Sequence, residues 1–476
     1  MNNIYTSVHC IILFFLCTPF ITLATKKEIR APLSKSTKKI AVDLLIHNGI
    51  LITMNKQREI LEHGALAINN GRIIAIGVNK AITNNYKAKM AIDAQHKIIM
   101  PGLINGHTHA PMVLLRGVAD DLTTKDWLEN YIFPIEAKQV DTDFVYWGTQ
   151  LACLEMIQGG ITTFVDMYYF EDSVAQASND IGMRIIAGQT IMDLATPDSK
   201  TAEQGLALAV SLAKKWKNSE LVSPAIAPHS PYTTSAKTVQ KAAAISKTYT
   251  IPFLIHLSET KTEADNGATY LESLGVLSNR VIAAHVVYPT THDIATLKQH
   301  GAGVIHCPIS NMKLSSGISP VTRILRDGML IGLGTDGAAS NNSLDMFAEM
   351  KTASLLQKVV GASTDLSALQ ALEMATIDGA RAIHKEHEIG SIEIGKRADI
   401  LLVDMDAIHQ MPIYNVISQL VYATKSSDVQ TVIVNGKILM NNRIFAPSIN
   451  VEKIKKQAKK IQQRILQSIT HKNTVH

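Results

Sequence analysis

Residues 101–109 read PGLINGHTH, a Pro-Gly turn, a short apolar run and two histidines separated by one residue. On an extended segment alternate side chains project to the same side, so His107 and His109 can reach one ion together. Taken alone, an HxH pair is often incidental. Here it closes the first of eight apolar, strand-like runs, at roughly 103–107, 161–168, 184–190, 222–229, 252–258, 281–287, 303–307 and 330–335, with helical patterns between them. That alternation predicts an α/β fold, a (β/α)8 TIM barrel.

The polar residues fall where such a barrel concentrates its chemistry. His107 and His109 follow the first run, His229 ends the fourth, His256 and Glu259 lie at the end of the fifth, His285 interrupts the sixth, and Asp336 ends the eighth. The carboxyl ends of barrel strands converge on one face, so residues far apart in sequence meet there.

Outside the barrel the vocabulary changes. From Asp43 to Met100 short β-rich runs alternate with turn signals, and similar text returns after residue 390; Asn48-Gly49, Asn70-Gly71 and Asn435-Gly436 all read as hairpin turns. The chain then divides into 1–24, a signal peptide or membrane anchor; 25–40, a basic linker; 41–100 with 390–447, a small flanking β-sandwich; 101–389, the barrel; and 448–476, a basic C-terminal helix whose apolar stripe packs on the body.

A chain of 476 residues with 46% hydrophobic and 18% charged residues can bury a large core. The net charge of +5 does not indicate nucleic-acid binding, because residues 26–39 and 451–476 together carry more positive charge than the whole chain, leaving the body acidic. Val8–Ala24 resembles a secretory leader, which predicts an exported or periplasmic protein. Against that, no Lys or Arg precedes the run and the basic cluster follows it, the pattern of an uncleaved inner-membrane anchor with a cytoplasmic body. Cys10 and Cys17 lie in this leader; Cys153 and Cys307 are too far apart for a disulfide framework and read as buried small hydrophobes. Apolar barrel helices also leave room for a homo-oligomer.

His256, in IHLSET, offers a third nitrogen, and Asp336, in LGTDG, an oxygen. In isolation His256 reads equally as a core histidine and Asp336 as a turn cap. Four donors on strands one, five and eight together make a set suited to zinc, and ferrous iron also accepts them. Such an ion lowers the pKa of water from about 15.7 towards 7. His285 and Asp336 would orient the resulting hydroxide, with Asp336 accepting its proton, and Glu259 could donate a proton to a ring nitrogen. The alternative for Glu259 is a first-turn helix charge.

PGLINGHTH, FPIE, APHSPYT, HLSET, AAHVVY and GTDGAASNNSLDMF, over nearly all of residues 42–445, resemble the methylthioadenosine/S-adenosylhomocysteine deaminases of the amidohydrolase superfamily and their chlorohydrolase and ammeline-hydrolase cousins. The resemblance implies that His107, His109, His256 and Asp336 hold zinc and that Glu259, His285 and Asp336 act in catalysis. It further implies that Glu136 binds the ribose hydroxyls of a purine nucleoside, with His229 and Glu259 also at the substrate. Binuclear relatives carry a lysine at the end of strand four, where this chain reads APHSPYT, so one metal is expected. Some members carry an arginine near the end of strand three, where Gln189 and Met192 stand here.

The implied reaction is deamination at C6 of adenosine, methylthioadenosine or S-adenosylhomocysteine with release of ammonia. The alternatives are hydrolytic deamination or dechlorination of another nitrogen heterocycle, such as a guanine, pterin or triazine, and a non-catalytic binding protein that retains the barrel. Substrates without ribose would not need Glu136.

Overall fold

The computed structural model describes residues 38–473. The leader with Cys10 and Cys17, and most of the basic linker, lie outside the described residues. No helix among the described residues is long and apolar enough to cross a membrane.

The N-terminal segment forms β1 (Ile40–Ile52), β2 (Ile60–Asn69), β3 (Arg72–Val78), β4 (Tyr86–Asp93) and β5 (Lys97–Pro101). The barrel strands are β6 (Leu103–Thr108), β7 (Ile161–Tyr168), β8 (Arg184–Ile191), β9 (Val222–Pro228), β10 (Phe253–Leu257), β11 (Val281–His285), β12 (Gly303–His306) and β13 (Leu330–Leu333). After them come β14 (Ile400–Asp404), β15 (Val429–Val434), β16 (Lys437–Asn441) and β17 (Ile444–Phe445). All eight runs expected from the sequence are strands, and they pair in parallel in sequential order from β6 to β13.

Period-two alternation sorts the barrel residues into two sets. Ile104, Val165, Met167, Ile186, Leu254, Ile282 and Ile305 pack in one cluster inside the ring, whereas Phe164, Ile185, Ile226, Phe253 and Val304 pack outward under the helices. Gly106 is required by this crowding: a Cβ there would sit 2.5 Å from Ile305 Cδ1. The ring is drawn together between its first and last strands at the catalytic end. The Asp336 amide donates to the His107 carbonyl (3.0 Å), and the Asn105 side chain exchanges hydrogen bonds with Thr335.

The two β-rich flanks meet in one nine-stranded sheet, where β5 pairs with β14, over an apolar core drawn from both segments. Asn70-Gly71 and Asn435-Gly436 are two-residue hairpin turns with positive φ at both positions. Asn48-Gly49 is not a hairpin. It lies inside β1 as a register break where that strand leaves β4 and takes up β5, and Asn48 supplies the left-handed residue.

A bidentate ion pair joins barrel and sheet. Arg184 Nε and Nη2 lie 2.8 and 3.1 Å from the Asp399 oxygens, with both side chains buried. The C-terminal helix, Val451–Asn473, buries Ile454, Ala458, Ile461 and Ile465 as one stripe. Cys153 and Cys307 are free and buried.

Candidate active site

The strand ends bring the expected donors together. His107, His109 and His256 form one group, and His107, His285 and Asp336 another, with the candidate ligand atoms of each group within 4.8 Å of one another. The β6–β7 register shifts between Asn105 and Thr108, and this irregularity re-aims the strand so that both histidines reach the barrel mouth.

Hydrogen bonds fix which nitrogen each ring presents. His109 Nδ1–H donates to the Met167 carbonyl (2.6 Å) and His256 Nδ1–H to the His229 carbonyl (2.9 Å). Both Nε2 atoms therefore face the centre, 3.3 Å apart. Two nitrogens about 2.0–2.1 Å from one tetrahedral centre would be separated by about 3.3 Å. Asp336 Oδ1 lies 3.2 Å from His109 Nε2 and 3.5 Å from His107 Nε2, while His107 Nε2 is a buried atom without a hydrogen-bond partner. Buried, inward-facing imidazole lone pairs converging on a carboxylate fit a divalent cation.

The electrostatics agree. Burial and the neighbouring imidazoles push His256 well below the ordinary histidine range, and burial takes His107 down to about 4. Burial opposes ionisation of Asp336, yet the adjacent His107 and His109 rings hold its carboxyl well below the usual range. Burial also acts against a charged His109, but Asp336 outweighs it and raises that ring to about 9.

Further residues hold this arrangement. Ser310 and Ser340 hydroxyls donate to Asp336 Oδ2 (2.6 and 2.9 Å), and the Gly337 amide donates to Oδ1. His285 Nδ1–H donates to Asn311 Oδ1 (2.9 Å), turning Nε2 towards Glu259 Oε2 at 3.8 Å. Asp166 Oδ1 accepts from Thr108 Oγ1 (2.6 Å) and from the Ala110 amide (2.5 Å), the residues on either side of His109. Ser258, His285, Val286 and Asp336 all have positive φ, backbone strain that persists where surrounding contacts over-determine the conformation.

The donors open into a cavity of about 610 Å³ including its mouth. Glu136, Glu259 and His229 line it. Glu136 is not a surface charge: it is 4% exposed, accepts from Tyr168 Oη (2.6 Å) and Tyr169 Oη (3.5 Å), and is pushed by burial up to about 7. Glu259 is likewise raised by burial, with His285 opposing. His229 Nδ1 lies 3.0 Å from Thr233 Oγ1, and burial lowers the ring to about 3. Gln189 turns away to Asp198, and the Met192 sulfur contacts Tyr169 Oη at 3.8 Å.

Sequence reasoning missed Tyr168 and Tyr169, Asp166, Asn311, Ser310, Ser340 and the wall formed by Trp127, Leu128, Ile132 and Phe133. The signal for Tyr168 and Tyr169 was their place at the end of the second strand. For the helical wall there was none beyond proximity to FPIE.

Comparison with known proteins agrees with this geometry. The model of the amidohydrolase family matches residues 98–439. The chain is 40% identical over 437 residues to 5-methylthioadenosine/S-adenosylhomocysteine deaminase 1 of Syntrophus aciditrophicus, covering 90% of this chain and 98% of that one. The crystal structure of an adenosine deaminase from Xanthomonas campestris with bound zinc superposes with a TM-score of 0.88 at 35% identity, over 90% of this chain and 100% of that one. An atrazine chlorohydrolase from Arthrobacter aurescens, complexed with zinc, matches with a TM-score of 0.82 at 23% identity, over 88% and 100% of the two chains, a likeness of fold alone.

Proposed function

Because the chain belongs to the amidohydrolase family, we propose that it is a divalent-metal-dependent hydrolase that deaminates the adenine ring of a nucleoside at C6, releasing ammonia. It acts on a carbon–nitrogen bond of a cyclic amidine, with methylthioadenosine, S-adenosylhomocysteine and adenosine as the candidate class. The observation that carries this reading is the joint presence, in one cavity, of the His/Asp cluster and a buried carboxylate, Glu136.

His107, His109, His256 and Asp336 would hold one ion, zinc by preference, for which an imidazole and carboxylate set is suited. A bound divalent ion supplies Lewis acidity, making hydroxide available near neutral pH. The chain's own residues supply the rest. Asp336 receives the proton of the attacking water, its Oδ2 already held by two serines. His285, its tautomer fixed by Asn311, orients the nucleophile through Nε2. Glu259, whose carboxyl burial shifts upward, donates a proton to the ring nitrogen as the C–O bond forms. Glu136 accepts from ribose hydroxyls, with the phenols of Tyr168 and Tyr169 fixing its carboxylate, and neutral His229 contacts the substrate.

The test is a spectral screen of adenosine, methylthioadenosine, S-adenosylhomocysteine, guanine and ammeline, following ammonia release. Turnover confined to adenine nucleosides supports the reading; turnover of guanine or ammeline in preference to them refutes it.

A further inference from the structure

We infer that the enzyme selects nucleosides whose 5′ substituent is uncharged, methylthioadenosine or adenosine, and discriminates against the zwitterionic tail of S-adenosylhomocysteine. This rests on the nucleoside reading above and narrows it.

The first observation is one of position. Ile132 ends the helical stretch Trp127–Ile132, and Phe133 opens the helix Phe133–Gln139 that follows it directly and carries Glu136 one turn on; all three residues line the cavity. Trp127 and Leu128, in the turn before, line it as well, as does Leu314. With the ribose hydroxyls on Glu136, the substituent on C5′ lies against this wall. What it meets there is apolar.

The second observation is one of charge. Among the described residues the cavity lining holds three carboxylates, Glu136, Glu259 and Asp336, and neither lysine nor arginine. Lys313, beside Leu314 in sequence, is turned to Asp120 and Asn342. Lys125 and Lys261 are exposed and outside the lining. Asp336 belongs to the metal cradle and Glu136 to the ribose, so along Trp127, Leu128, Ile132, Phe133 and Leu314 a homocysteine tail would bring its charged groups against apolar side chains, with no cation among the described lining residues to pair its α-carboxylate, whereas a methylthio group matches the wall. An unpaired charge in such surroundings is disfavoured far more strongly than an extra methylene is favoured.

The experiment compares kcat/KM of the metal-loaded enzyme for methylthioadenosine, adenosine, 5′-butylthioadenosine and S-adenosylhomocysteine, read by the change in ultraviolet absorbance on deamination. Butylthioadenosine has a tail of similar length to that of homocysteine without its charges. The expected result is turnover of the first three within about 10-fold of one another and a kcat/KM for S-adenosylhomocysteine at least about 100-fold lower, expressed mainly in KM. Leu128→Arg should raise the ratio of S-adenosylhomocysteine to methylthioadenosine turnover by about 10-fold or more. Equal handling of S-adenosylhomocysteine and methylthioadenosine by the unaltered enzyme overturns this inference and leaves the deaminase reading intact. Rejection of butylthioadenosine as severely as S-adenosylhomocysteine also overturns it, since length and not charge would then decide. Failure to deaminate any of the four removes the nucleoside reading itself.

Discussion

Replacing Asp166 by alanine tests how the metal cradle is held without touching a donor. Its Oδ1 accepts from Thr108 Oγ1 at 2.6 Å and from the Ala110 amide at 2.5 Å, bracketing His109, whose own Nδ1–H bonds the Met167 carbonyl next along β7. Each hydrogen bond to a carboxylate contributes about 1.5–3 kcal/mol, and the variant leaves the buried Ala110 amide unpaired. Burial pushes the Asp166 carboxyl up to about 6, and that desolvation cost offsets part of the gain, so a net loss of about 1–3 kcal/mol in stability follows for the metal-free protein. Loss of an interaction that orients a ligand costs about 10–100-fold in metal affinity. Thermal denaturation of the metal-free variant reads the first quantity and competition with a chelator the second, with excess metal expected to restore most of kcat. A variant that is destabilised but competes with chelator like the parent would show that Asp166 supports the fold and not the orientation of His109.

Glu259→Gln should retain its metal while kcat falls by about 10²–10⁴-fold, the range for loss of a positioned proton donor; near-normal turnover would remove the shuttle. Glu136→Ala should lower kcat/KM for adenine nucleosides by about 10–100-fold through loss of hydrogen bonds to a carboxylate, and unchanged activity would withdraw ribose recognition from this residue. Arg184→Ala leaves Asp399 buried without its partner, so calorimetric or denaturant unfolding should show a loss of about 3–5 kcal/mol; a change below about 1 kcal/mol would mean the bidentate pair does not tie barrel to sheet.

The barrel was legible because its strands are short apolar runs at regular spacing, and the donors were legible because each stands at a strand end. Alternation carries Leu254 and His256 to the same side of β10, so the fifth-strand ligand follows from pattern alone. His285 does not follow that rule: its φ of +73° turns it into the site against strand periodicity, and only its isolation in AAHVVY marked it. Asn48-Gly49 failed for a related reason, since the same dipeptide serves a hairpin or a register break, and the choice depends on strands distant in sequence. Asn311 and Ser310 were invisible because they act on His285 and Asp336 across 26 positions each, a separation that carries no local signal; Ser340, four positions after Asp336, was close enough but reads as one of several small polar residues in GAASNNS.

Elemental analysis of the purified protein, before and after substitution of His256 by alanine, addresses the account at its root. It predicts about one tightly held divalent ion per chain, lost in His256→Ala together with deaminase activity. Less than half an equivalent in an active parent enzyme, or full metal retention by the variant, would contradict it.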